Sequence, residues 1–133
     1  MRWCREAWLL STLLLTSSGS PILGHGPVEP PPITVEGELV DLACYLAQGT
    51  RGEENAVCSS HHTSPNQPLA LIADDGEIHV LYADHEGPYP YDRCRELAGR
   101  RARLTGVPAA GHGLCVLAVR KVTALDAAPE EPR

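Results

Sequence analysis

The chain has 133 residues, with 17 acidic against 11 basic side chains and a formal net charge of −6. This length allows one domain with short appendages. The composition argues against nucleic-acid binding, because that function needs a basic surface and aromatic side chains on which bases stack, and aromatic residues make up only 5% of this chain.

The N-terminus has the layout of a secretory signal peptide. Arg2 and Arg5 supply positive charge, residues 7–16 form an apolar run, and small or polar residues follow at 17–20. The run is shorter than the roughly 20 apolar residues that a membrane-spanning helix needs. We therefore predict a signal peptide over 1–24, export to the periplasm or the medium, and no membrane span after cleavage.

Two segments flank the predicted domain. Residues 25–33 (HGPVEPPPI) are rich in proline, which fixes φ and lacks an N–H group, and this predicts an extended linker. Residues 126–133 (DAAPEEPR) are acidic and predict a flexible tail. The predicted domain over 34–125 is long enough for one modest core.

The first part of the domain reads as a strand and a long loop. Apolar and polar residues alternate over 38–46, and this period of two predicts a half-buried first strand with Cys44 on its apolar face. Residues 47–67 contain glycine, asparagine and proline and predict a loop. Loops of this length are usually functional or tied down.

The remainder predicts a hairpin, a helix and two more strands. Strands over 69–73 and 77–83 flank an Asp-Asp-Gly turn, with His79 on the outer, solvated face. Residues 91–98 have the spacing of a short helix that ends at Gly99, and strands follow over 101–107 and 114–125. Three strands, one helix and two strands in this order predict an all-β, five-stranded OB-like barrel with one short helix.

The residues best suited to chemistry gather around the predicted loop. Thiolate and imidazole groups are typical ligands of zinc and copper. The candidate metal ligands are Cys44, Cys58, His62 and His85.

Disulfide formation and redox chemistry are the other interpretations of the cysteines. Four cysteines in an exported domain are typical of disulfides, and three pairings are open among Cys44, Cys58, Cys94 and Cys115. A Cys44–Cys58 bridge would tie down the loop and stabilise the fold by about 3 kcal/mol. A redox pair remains as a third interpretation, without a C-x-x-C motif to favour it.

One stretch of the domain resembles a known family. Residues 37–46 (GELVDLACYL), Cys58, the Asp75-Gly76 turn and Leu97-Ala98-Gly99 follow the pattern of small exported bacterial domains with an OB-like fold and no settled function. The resemblance covers roughly 36–123 and implies an OB-like barrel.

The resemblance also bears on the cysteines. The family pattern has a His, a Cys three residues later and a second Cys four residues after that, where this chain has Asn55, Cys58 and His62. The implied metal-ligand set is therefore altered. Cys94 and Cys115 fall outside the pattern, which implies an added Cys94–Cys115 disulfide and leaves Cys44 and Cys58 as a second pair or as ligands.

These observations favour an exported, non-enzymatic binding module for an unknown protein or small ligand, with no cofactor assigned. OB barrels commonly bind through one face and the loops beside it, so we expect binding through residues 47–67 and the adjacent barrel face. The candidate contact residues are Tyr45, His61, His62 and His85. The alternative is a metal-handling protein that binds zinc or copper through the Cys and His residues.

Overall fold

The computed structural model describes residues 29–62, 66–85, 87–111 and 113–125. The predicted signal peptide and C-terminal tail lie outside them. The described elements are β1 (Ile33–Asp41), α1 (Leu42–Gln48), α2 (Gly52–Ser60), β2 (Leu69–Ala73), β3 (Ile78–Ala83), α3 (Tyr89–Glu96), β4 (Arg101–Gly111) and β5 (Leu114–Ala124). In this part of the chain, every helix is too short or too polar to cross a membrane.

The five strands form a closed barrel in the order β1-β2-β3-β5-β4. β1 closes the barrel because it pairs antiparallel with both β2 and β4. β3 and β5 pair in parallel, and the remaining pairs are antiparallel. Closure protects strand edges that would otherwise invite pairing with other chains. The predicted β-rich, five-stranded barrel is confirmed.

The barrel interior is one apolar cluster. Leucines of four strands form its centre, namely Leu39, Leu71, Leu104 and Leu117. α3 lies between β3 and β4 in the chain and adds Cys94 to the same cluster. A helix was predicted at this place, two residues further along at each end.

The first predicted strand is wrong beyond Asp41. β2 begins at Leu69, which pairs with Asp41, so β1 has no β2 partner after that residue. The chain instead turns into α1, where the Asp41 side chain accepts a hydrogen bond from the Cys44 N–H at 3.1 Å and caps the helix. Gly49, with φ 69°, ends α1 through a hydrogen bond to the Tyr45 carbonyl.

The prediction of one helix and a loop over 47–67 is also wrong, because the nine residues of α2 lie within that loop and the described residues hold three helices. Gly99 lets α2 lie close to the barrel. Its φ is 79°, and a Cβ there would come within 2.2 Å of the Gly52 carbonyl oxygen at the start of α2. The Gly99 N–H donates to the carbonyl of Leu39 at 2.7 Å. This approach fixes the start of α2 beside β1.

The outer face of the sheet carries a second, smaller apolar cluster. Val40 of β1 and Ala70 and Ile72 of β2 form it, and Tyr45 of α1 packs against them. Both faces of β1 are therefore buried near its end, since Leu39 belongs to the barrel interior. α1 acts as a cover for this part of the barrel.

The face predicted for His79 is wrong. The residue is 5% exposed, and it shares a strand face with Leu81 of the barrel interior. Both faces of β3 carry apolar residues, since Ile78 contacts the outer cluster. Alternation along this strand therefore could not identify the inner face.

Candidate functional site

A disulfide joins the two helices that follow β1. Cys44 of α1 and Cys58 of α2 are bonded, which confirms that interpretation for this pair. Their exposure differs, because Cys44 is only 1% exposed whereas Cys58 is half-buried. Cys44 therefore lies inside the structure, and Cys58 lies nearer its surface.

His62 lies against the inner sulfur of this disulfide. Its Nε2 is 3.8 Å from Sγ of Cys44, and its Nδ1 donates to Oδ2 of Asp41 at 2.9 Å. Asp41 is buried, and its other oxygen caps α1. One carboxylate thus holds both the first helix and the imidazole ring.

Asn55 of α2 is a site residue, although the sequence marked it only as a position where the family's ligand pattern is altered. Its side chain is 0% exposed and accepts from the Asp41 N–H at 2.8 Å. The same amide donates to the carbonyls of Asp41 and Thr50, each at 3.2 Å. Asn55 and Cys58 are three residues apart, the spacing of one helix face, and that spacing was a signal for α2. His62 follows four residues later, just past the end of the helix.

The predicted metal ligands come together only in part. The ligand atoms of Cys44, Cys58 and His62 lie within 4.8 Å of one another, whereas the exposed His85 is not part of this cluster. The disulfide occupies both sulfurs, and Nδ1 of His62 faces Asp41. In this oxidised form the only atom of the cluster that is available to a metal is Nε2 of His62. A structural zinc site takes four ligands, so the oxidised cluster is not one.

The predicted Cys94–Cys115 disulfide is wrong. Cys94 is a free, buried cysteine whose Sγ donates to the Pro90 carbonyl at 3.2 Å. It faces the barrel interior from α3, whereas Cys115 lies in β5 and pairs in register with His79 and Ala110. Burial raises the pKa of the Cys94 thiol to about 12. The thiol is therefore neutral at physiological pH.

A groove of about 820 Å³ runs beside the disulfide. Acidic, apolar and imidazole side chains line it, including Glu53, Glu54, Val57, Cys58, His61 and His62. Val57 is 52% exposed. The candidate contact residues His61 and His62 border this groove, whereas Tyr45 is half-buried against the outer apolar cluster.

His79 lies near the start of β1, at the other end of that strand from Asp41. Together with Val35, Asp75 and Glu77, it lines a second cavity. Its Nε2 lies 3.4 Å from a Glu77 carboxylate oxygen, and its buried Nδ1 makes no hydrogen bond with the described residues. Burial lowers the pKa of His79, and the neighbouring carboxylates of Glu77 and Asp75 oppose that shift.

The chain matches no protein-family model, no curated protein and no solved structure.

Proposed function

We propose that the protein is an exported, non-enzymatic binding module with an OB-like barrel, and that it binds a segment of a partner protein in the groove beside Cys58. The strand order β1-β2-β3-β5-β4 and the position of α3 between β3 and β4 support the OB-like assignment. The resemblance of residues 37–46 to small exported domains supports the same assignment. A disulfide is typical of exported proteins and supports export.

The groove held in place by the disulfide is the observation on which this proposal depends. α2 forms much of its wall, and the Cys44–Cys58 bond and the buried Asn55 tie that helix to the end of β1. A surface that is already ordered loses little conformational entropy on binding. Such a surface is suited to recognition.

The side chains in the groove indicate the chemistry of the partner. Glu53 and Glu54 are exposed at the start of α2, and the chain as a whole carries a net charge of −6. Opposite charge favours encounter and specificity. Val57 offers an apolar contact one turn further along the helix. We therefore expect a partner segment with a Lys or Arg beside an aliphatic residue.

An array of immobilised peptides tests this proposal. Wild-type protein should retain peptides that place a Lys or Arg next to an aliphatic residue, and it should release acidic peptides of the same length. Replacing Glu53 and Glu54 together by Gln, or Val57 by Ser, should weaken retention about tenfold, the effect of roughly 1.4 kcal/mol. Glu96→Gln in α3 removes an exposed acid outside the groove and should leave retention unchanged. Equal retention by the wild type and the groove variants would exclude this binding surface.

Metal handling is the second candidate, and the clustering of three soft or borderline ligands favours it. It applies to the reduced chain, because Cys44 and Cys58 are otherwise bonded to each other. Zinc titrated into anaerobically reduced protein should bind one ion per chain, and His62→Gln should weaken that binding. His85→Gln changes a histidine outside the cluster and serves as the control. Binding that His62→Gln leaves unchanged would exclude this site.

A further inference from the structure

We propose that the Cys44–Cys58 disulfide exchanges with thiols, that Cys58 is the sulfur they attack, and that His62 stabilises Cys44 as the leaving group. This inference goes beyond the binding function and does not depend on it. It rests on the unequal exposure of the two cysteines and on the imidazole placed against Sγ of Cys44.

Accessibility selects the sulfur that is attacked. Cys58 lines the groove, whereas Cys44 is 1% exposed beneath it. A thiolate must reach a sulfur along the line of the S–S bond, with the other sulfur leaving on the far side. A thiol that enters the groove therefore meets Sγ of Cys58, and Cys44 is the sulfur released inside the structure.

His62 is placed to receive the proton that this reaction liberates. Its Nδ1–H is engaged by Asp41, so Nε2 of the neutral ring carries a lone pair. That nitrogen lies 3.8 Å from Sγ of Cys44. A protonated ring would form an ion pair with the Cys44 thiolate, and Asp41 is a positioning residue that sets the tautomer and orientation of the ring.

The exchange balances in two steps. A thiol R–SH attacks Cys58, the Cys44–Cys58 bond breaks, a bond between Cys58 and R–S forms, and the thiol proton moves to Nε2 of His62 beside the Cys44 thiolate. A second thiol then attacks the R–S sulfur of this mixed disulfide, and Cys58 leaves and takes up the proton of that thiol. Two thiols are oxidised to one disulfide, and the protein is reduced by two electrons. The co-reactant is a dithiol protein or two small thiols.

The burial of the Asp41 carboxylate supports a role for this disulfide beyond cross-linking the two helices. A buried carboxylate loses hydration and is retained only where its partners compensate. Capping α1 uses one oxygen of Asp41, and the second oxygen holds an imidazole that a purely structural disulfide does not need.

Glutathione added to the oxidised full-length protein tests the inference. Samples are quenched with acid, and the mixed disulfide is located by mass spectrometry. We expect the adduct on Cys58 and a rate proportional to glutathione concentration. His62→Gln should slow the reaction at least tenfold, because a positioned proton-transfer group typically contributes about 10²-fold or more. Ser60→Ala, at an exposed position near the end of α2, should react at the wild-type rate.

Two variants, each lacking one cysteine of the disulfide, define which sulfur reacts. Given oxidised glutathione, Cys44→Ser should accumulate a stable adduct on Cys58, whereas Cys58→Ser should stay unmodified at the buried Cys44. An adduct on Cys44, or equal rates for wild type and His62→Gln, would overturn the inference. A wild-type rate independent of glutathione concentration would also overturn it, because the disulfide would then open only through unfolding. That last measurement needs no variant.

Discussion

The side-chain amide of Asn55 pairs with the backbone of Asp41 in both directions. Its oxygen accepts from the Asp41 N–H, and its nitrogen donates to the Asp41 carbonyl. An amide side chain therefore supplies the hydrogen bonds that a neighbouring strand would otherwise provide at the end of β1. Because the same Asp41 holds His62 and caps α1, Asn55 supports the whole arrangement around the disulfide.

Removing the Asn55 amide should destabilise the fold. Asn55→Ala leaves the buried N–H and carbonyl of Asp41 without these partners, and such a loss typically costs about 1–3 kcal/mol. Urea unfolding monitored by circular dichroism would measure the change. Glu54→Ala, an exposed neighbour in α2, should stay within about 0.5 kcal/mol of wild type. An Asn55→Ala variant as stable as Glu54→Ala would show that water replaces the amide without cost.

Removing the disulfide should also lower the free energy of unfolding. The two cysteines are 14 residues apart, and a cross-link over such a loop contributes about 3 kcal/mol in the chain-entropy description. The variant with both Cys44 and Cys58 replaced by Ala should lose about this amount in urea unfolding. If its stability equalled that of wild type, α2 would be held by Asn55 and the Gly99 contact alone.

Cys94 should be inert in the folded protein and reactive after unfolding. It is 0% exposed, and its raised pKa of about 12 leaves little thiolate at pH 8. Iodoacetamide should modify it only in denaturant, as judged by mass spectrometry. Rapid modification of Cys94 without denaturant would show that α3 opens easily.

The Cys94 thiol should also make the free energy of unfolding decrease at alkaline pH. The unfolded thiol ionises near pH 9 whereas the folded one does so near 12, so the stabilisation is complete below pH 9 and is lost as the pH rises. Wild type should lose about 1.4 kcal/mol per pH unit above 9, relative to Cys94→Ala. Parallel pH profiles of the two proteins would contradict this expectation.

His79 should make the protein less stable at mildly acidic pH. Burial lowers its folded pKa, so the unfolded chain takes up a proton near pH 6.5 before the folded chain does. Stability is therefore complete above pH 6.5 and falls below it by up to about 1.4 kcal/mol per pH unit. Urea unfolding at pH 7.5 and 5.5 measures this loss, which His79→Leu should reduce. If wild type and His79→Leu lost the same stability between pH 7.5 and 5.5, titratable groups other than His79 would be the cause.

Local patterns were informative where a residue's neighbours in the chain determine its conformation. The Asp-Asp-Gly turn and the strand Leu69–Ala73 were predicted with their observed bounds. The segment from Asp41 to Gly49 was not, although it carries an N-cap residue and a C-terminal glycine. Its apolar residues alternate as in a strand, and only the late start of β2 at Leu69 leaves the backbone after Asp41 free to turn into a helix.

The sequence by itself was sufficient to predict a β-rich barrel of five strands and to single out Cys44, Cys58 and His62, because alternation and residue chemistry are properties of short stretches. Tertiary structure decided which cysteines bond, which face of β3 is buried, and that His62 lies between Asp41 and the inner sulfur. These outcomes depend on how distant segments close the barrel and place α2 against β1, and spacing along the chain does not encode those distances.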